Sequence, residues 1–295
     1  MLRATVQTVT ARTEAAFAAH PLASSMAAVD RSVEWTSFVL GDVAGPGWLR
    51  CEQVLRDPSF FTGWRAAVAR HLAERHGAVP DQTSAGYVLQ RYLRIPAYTG
   101  ALLFHSARRV PALEPSRLAF RLERGCVETI ALRPGPFWCL PTDPDARHPD
   151  AGMVPDDAAL ATVLRRQVVA HAAHFLRSYG PTVRLGRRTL WATVTDMIDS
   201  GLLLAGRSQG DEAAGMADAR LVLAERFEPL TSASTIHRLT DSRGVTHWTH
   251  QRGSCCFYYA LPGVTHACAT CPRVDDAERA RLLGEARPLD EMGRN

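Results

Sequence analysis

The 295-residue chain has no apolar run approaching the roughly twenty residues that a membrane-spanning helix requires. Its longest runs, such as Gly201 to Gly206, fall far short, so no transmembrane segment is expected. At the N-terminus, MLRATVQTVTARTEAAFAAH is broken by Arg12 and Glu14 and does not read as a secretory signal. Glycine-rich nucleotide loops are missing as well. Gly41, Gly45 and Gly47 are spaced G-x-x-x-G-x-G, the wrong order for a dinucleotide loop, and no Gly-Lys-Ser or Gly-Lys-Thr occurs. The chain therefore offers no recognisable flavin, nicotinamide or ATP site. Charge is not strongly skewed: 34 basic against 30 acidic residues leave +4. With no basic stripe interleaved with aromatics, nothing points to nucleic acid. Hydrophobic residues make up 46% and charged residues 22%, the composition of a globular chain that can bury a core without help from a metal.

What the chain does have is a concentration of cysteine near its C-terminus. Four of its seven cysteines lie in RGSCCFYYALPGVTHACATCP, from Arg252 to Pro272: Cys255 and Cys256 adjacent, then eleven residues, then Cys268 and Cys271. Thiolates select zinc or iron–sulfur iron over hard cations. With no export signal read at the N-terminus, the protein is expected in the cytoplasm, or peripherally at the inner face of the membrane, and in a cytosolic chain such a cluster reads as metal ligands rather than disulfides. Structural zinc sites draw their cysteines from loops with two to four intervening residues. Cys268 and Cys271 fit that pattern; Cys255 and Cys256 do not. Neighbouring side chains of an extended strand point apart, so both can ligate only if the backbone turns. Two irons relax that demand, which favours a [2Fe-2S] cluster. A vicinal disulfide or a zinc knuckle would use the same residues without electron transfer.

At these positions the sequence resembles the FhuF-type ferric-siderophore reductases, marked by two adjacent cysteines, about ten residues, then Cys-x-x-Cys. Arg252 before the pair, and Tyr258, Tyr259, Leu261 and Pro262 after it, agree with that family's flanks. The spacer is one residue longer, Ala269 and Thr270 stand where Gly-Asp is common, and Ala260 stands where members often carry a basic residue. No ligand is lost. The resemblance covers about twenty residues, and the helix-rich block from about Pro155 to Phe227 is similar in kind to the helical region of that family and of its siderophore-synthetase relatives. It implies a [2Fe-2S] cluster held by Cys255, Cys256, Cys268 and Cys271. It also implies an oxidoreductase that reduces siderophore-bound Fe(III) by one electron and releases Fe(II). The partners would be a ferric siderophore, hydroxamate types included, and an external donor such as a ferredoxin or a flavoprotein reductase. Arg252, His250, His266 and Arg273 are the side chains expected to lie around the sulfurs and tune them. The alternative is a zinc-stabilised binding or regulatory module without redox activity.

The fold class expected is α+β, a mainly helical body with two β-hairpins and a C-terminal iron–sulfur segment. Its divisions are an N-terminal α+β region (1–140), a linker (141–155), a helical region with a hairpin (156–250) and the cluster segment (251–295). Helices are expected over residues 3–19, over 61–76 with Gly77 as the stop, and over 83–106, where Pro96 would divide or kink the helix. Tyr87, Tyr92 and Phe104 read as core, and Cys51, Cys126 and Cys139 as free small core residues. Residues 117–132 alternate around Gly125 as a hairpin. Between Cys139 and Asp157, four prolines with Asp143, Asp145, Asp150 and His148 read as a solvated linker rather than a hard-metal site. A helix then runs to Tyr179, burying Leu160, Leu164, Val168, Ala172 and Phe175. His171 and His174 lack a third ligand and read as structural, and His71 and His76 as surface or satisfied residues. Two more helices (189–205 and 211–226), a second hairpin (235–251) bearing His237, His247 and His250, and a short helix over 275–285 complete the chain. Arg184, Arg187 and Arg188 mark a charged helix entry able to meet an anion, although a solvated entry is the commoner case.

Overall fold

In the computed structural model, which describes Phe17 and residues 19–285, the chain opens with α1 (Leu22–Ser32), whose Leu22, Met26 and Val29 face the core at helical spacing. The helix expected over residues 3–19 lies almost wholly outside the described residues. Strand β1 (Ser37–Leu40), β2 (Leu49–Arg50) and the short α2 (Cys51–Arg56) lead into α3 (Ser59–His76), which buries Phe61, Trp64, Val68 and Leu72 and stops at Gly77. Next comes α4 (Asp81–Ala107), the central helix of the molecule. Pro96 neither ends nor divides it. A proline removes one helical hydrogen bond, but nineteen residues of α4 are buried, and packing along its whole length outweighs that loss.

Strand β3 (Arg109–Pro111) follows, then the expected hairpin of β4 (Leu118–Glu123) and β5 (Cys126–Leu132), turned at Gly125 with φ +79°. These strands form a four-stranded sheet in the order β1-β5-β4-β2, with β1 parallel to β5. The turn is also a packing point: Trp64 and Arg91 both donate to the Gly125 carbonyl, at 2.8 and 3.0 Å. Strands β6 (Phe137–Cys139) and β7 (Ala151–Met153) make a second small sheet with β3. The proline-rich stretch that reads as a linker in sequence is tied to this sheet by charge. Arg109 donates to both oxygens of Asp143 at 2.7 Å and to Asp145 at 2.6 Å, and the Arg109 and Asp143 side chains are both nearly buried. A buried, bidentate arginine–carboxylate pair is among the stronger polar contacts a fold can make.

Asp156 then caps α5 (Asp157–Tyr179), accepting from the Ala159 amide at 2.8 Å, and the five residues expected on its inner stripe are all buried. A 3₁₀ turn leads to α6 (Arg187–Ser208) and α7 (Glu212–Val222), the latter capped by Asp211 and ending earlier than its sequence pattern suggests. Helices α6 and α7 approach closely: a Cβ on Gly206 would lie 2.9 Å from Gly215 Cα. Strands β8 (Ile236–Thr240) and β9 (Thr246–His250) form the second expected hairpin, and α8 (Asp276–Glu285) follows the cysteines. Three small sheets on a mainly helical body make the architecture α+β. One hydrophobic cluster extends from Leu22 to Leu261 and has an aromatic column inside it, Phe175 stacking on Tyr92 at 3.9 Å and on Tyr179 at 5.0 Å. Among the described residues no helix is long and apolar enough to cross a membrane.

Candidate metal centre

Strand β9 delivers the chain to Arg252, whose amide donates to the Thr270 carbonyl at 3.0 Å and so joins the start of the cysteine segment to its end. The next two residues are pinned to α6. Asp196 accepts from the Gly253 and Ser254 amides at 2.7 and 3.0 Å and from the Ser254 hydroxyl at 2.5 Å. Burial pushes that carboxyl up to about 6, against the pull of these bonds and of Arg252. Past Cys255 and Cys256 the backbone turns sharply, because Phe257 adopts the left-handed conformation at φ +59°. The turn aims two successive amides at sulfur. Phe257 N–H donates to Cys255 Sγ at 3.4 Å, and the Tyr258 amide bonds Cys256. A single 3₁₀ turn, Tyr258–Ala260, then carries the chain outward.

The second pair sits in a tight turn closed by Cys271 N–H donating to the Cys268 carbonyl at 2.9 Å. Arg279 of α8, fully buried, holds this turn from behind with bonds to the carbonyls of Ala269, Cys271 and Val274. Electrostatically, Cys255 couples to Cys271 and Cys256 to Cys268, and Arg252 bridges the second of these pairs. Each adjacent cysteine thus meets a different member of the Cys-x-x-Cys pair. That grouping suits two metal atoms with two thiolates each.

Arg252 is the charge at the centre. Its Nη2 donates to Cys268 Sγ at 2.9 Å and to Cys256 Sγ at 3.2 Å, while Nη1 is held by Gln90 Oε1 at 3.0 Å. Cys256 is drawn down to about 5, first by the Cys268 thiol that donates to it and then by Arg252, against burial. Cys268 is pushed up because it supplies that hydrogen bond, and burial pushes Cys255 up to about 11. An all-sulfur donor set beside a buried cation and two amides fits a cofactor whose iron-bound thiolates need donors around them.

The segment is laid on the first turns of α4. A Cβ on Gly86 would come within 3.3 Å of the Cys256 carbonyl, and Thr83 Oγ1 donates to the Phe257 carbonyl at 3.2 Å. Tyr87 is half-buried here, its phenol pushed up by burial and then by Cys256. Gln90, one turn further on, completes the row.

Of the four side chains expected around the sulfurs, Arg252 reaches them. His250 is buried behind β9 with Nε2 against Ser200 Oγ at 3.2 Å, and burial, then Arg252, lower it to about 3. His266 is exposed and bonds the Ala267 carbonyl. Arg273 is exposed and lies over the Tyr259 ring at 4.5 Å. The remaining histidines are tied into the fold. His171 bonds Tyr92 and the Leu113 carbonyl, His174 takes a bond from Arg177, and His247 bonds Asp241. His20, His148 and Asp150 bring ligand-type atoms within 4.8 Å of one another. Backbone amides of Leu22 and Asp150 donate to Nδ1 of His20 and His148, which uses the one lone pair that a neutral imidazole could give a metal. That trio is a hydrogen-bonded tie. Cys51 and Cys139 are buried and free, and Cys126 is half-buried and free. Asp196, Gln90, Gly86 and Arg279 lie outside the set read from sequence. Arg279 alone carried a signal, three residues before Leu282 on the buried face of α8.

Residues 252–273 match the family model for the FhuF 2Fe-2S C-terminal domain. The segment that carries the four cysteines is therefore of the FhuF 2Fe-2S type, and a [2Fe-2S] cluster is the cofactor it implies. No curated protein matches the chain. Among solved structures, the chain is similar to the aerobactin synthetase IucC from a hypervirulent pathotype of Klebsiella pneumoniae, with 13% identity and a TM-score of 0.39. The likeness covers 59% of this chain and 31% of that one.

Proposed function

We propose that the protein is a cytoplasmic ferric-siderophore reductase whose [2Fe-2S] cluster is held by Cys255, Cys256, Cys268 and Cys271. The observation that carries this reading is that Arg252 donates to one sulfur of each cysteine pair, Cys256 and Cys268, inside a segment that matches the FhuF 2Fe-2S model. When bound, such a cluster supplies one electron to ferric iron and takes one from an external donor, of the ferredoxin or flavoprotein class, because the chain has no flavin or nicotinamide loop of its own. Hexadentate siderophores hold ferric iron far more tightly than ferrous iron. A single electron thus frees the metal with the chelator intact.

The chain's own residues set the conditions for that exchange. Arg252, the Phe257 amide and the Tyr258 amide place positive charge against sulfur, which favours the reduced state and raises the potential. Asp196 and Arg279 fix the two ends of the segment, and Gly86 lets it lie flush on α4. Cys255 and Cys268 are only half-buried, which leaves the site near solvent, within reach of a substrate and a donor.

The test is single-turnover reduction. Anaerobic protein, reduced and freed of excess reductant, is mixed with a ferric siderophore and a ferrous chelator. The reading predicts about one ferrous ion per reduced cluster and none from Cys268→Ser. Failure of every ferric siderophore to oxidise the reduced protein would exclude the reductase. Stoichiometric zinc in place of iron would favour the binding module.

A further inference from the structure

The first residues of α6, Arg187 and Arg188, face the loop from Arg226 to Thr231 across an open groove of about 420 Å³. That volume is in the range of small-molecule sites. Three arginines stand at its edge. Arg226 is paired with Glu228 at 2.5 Å, but Arg187 and Arg188 have no ion pair or hydrogen bond among the described residues. No acidic residue occupies the first turn of α6, so nothing there offsets their charge. The groove is also lined by Trp191, half-buried, with Pro229 and Leu230 beside it. It therefore combines a cationic rim with an aromatic face.

This groove adjoins the cysteine segment. Thr231 is bonded through its amide to Thr195 Oγ1 at 3.2 Å, and Ala192 follows Trp191 on α6. A Cβ on Gly253 would lie 3.3 Å from Ala192 Cβ and 3.6 Å from Thr231 Oγ1. Gly253 is exposed and stands two residues before Cys255. No described residue of the cysteine segment lines the groove itself, but Thr231, which does, stands between a ligand there and Gly253.

We infer that the groove seats an anionic, catecholate-type ferric chelate. Three catecholates more than neutralise ferric iron, so the complex is negative and is drawn to unpaired guanidinium groups beside a low-dielectric wall. Its aryl rings suit the Trp191 face and the flat faces of arginine. Three hydroxamates only neutralise the iron and present no aromatic ring, so they gain neither contact. A concave site of this size fits a chelate better than the broad face of an acidic donor protein. This inference takes its substrate from the reductase reading, but binding itself needs no electron.

Gallium(III) complexes, which match ferric complexes in charge and shape but are not reduced, separate the two questions. Their binding to the full chain is measured by isothermal titration at low and moderate salt. The gallium tris-catecholate is expected to bind at least tenfold more tightly than a gallium trihydroxamate and to weaken with salt. Arg187→Ala/Arg188→Ala should lose at least tenfold for the catecholate alone, with an unchanged visible spectrum. Glu228→Gln, which frees Arg226, should bind it more tightly. Equal affinity for both complexes, or an unaffected double variant, would overturn the inference. So would a double variant that binds the catecholate normally but accepts electrons poorly from an acidic ferredoxin. Tight, arginine-dependent binding without any reduction of the ferric complex would uphold the site and sink the reductase reading instead.

Discussion

Arg252 is the residue whose chemistry decides most. It is nearly buried, and it spends one guanidinium nitrogen on two sulfurs and another on Gln90. A cation so placed stabilises added negative charge. Arg252→Gln should lower the cluster potential by on the order of 60 mV, the equivalent of ~1.4 kcal/mol for one electron, and Arg252→Lys by less; a potentiometric titration measures both. His171 acts on the fold rather than on the site. Fully buried, it is lowered to about 4, so it stays neutral in the native protein while the unfolded chain gains a proton near pH 6.5. Its contribution is complete above pH 6.5 and is lost as pH falls toward 4. Asp196 and Asp199, raised to about 6 by burial, work in the opposite sense, their charged forms costing stability as pH rises from about 4 to 6. The two effects overlap, so the comparison to make is between wild type and His171→Gln by urea unfolding at several pH values. The stability advantage of wild type should shrink by up to ~3 kcal/mol between pH 7 and pH 4. An advantage constant with pH would mean that the histidine is not held neutral.

The elements that matter are the first turns of α4 and the turn backed by α8. Gly86→Val would drive a branched side chain into the Cys256 backbone, which a Cβ already approaches to 3.3 Å. The helix should survive and the cluster should not: circular dichroism near wild type, with iron content reduced several-fold. Arg279→Met removes the donor shared by the carbonyls of Ala269 and Cys271 in the Cys-x-x-Cys turn and of Val274 just beyond it, a buried carbonyl left unpaired costing about 1–3 kcal/mol. Faster loss of iron to a chelator is the expected result. These supports were hard to read in sequence for a physical reason. The helices α3, α5 and α6 and both hairpins announce themselves by apolar period and by turn glycines, since burial on one face leaves that trace. Pro96 misleads because its local penalty is visible whereas the packing that overrides it is not. Strand β1 pairs in parallel with β5, ninety-two positions away at Ser37 and Thr129, and four residues carry no mark of such a distant partner. The proline-rich stretch before α5 reads as linker because the partner of its aspartates, Arg109, lies more than thirty residues back. Cysteine spacing made the candidate site legible, but only folding brings Asp196 and Gln90 to it.

On the scale of the whole molecule, a single apolar cluster from Leu22 to Leu261 forms a rigid helical base, and the cysteine segment lies across α4 and α6 at its surface. Such a base stands without the metal. Loss of the cluster is expected to leave the helical signal largely intact and to lower the melting temperature modestly, in contrast to small zinc modules that unfold when stripped. The central claim is that the four sulfurs hold two irons. The most direct test is the visible and electron paramagnetic resonance spectrum of anaerobically purified protein before and after dithionite, with iron, zinc and sulfide measured on the same sample. The account predicts a red-brown protein with about two irons and two sulfides per chain, a colour that bleaches on reduction and a resonance that appears with it. Colourless protein with one zinc per chain and no sulfide would contradict it.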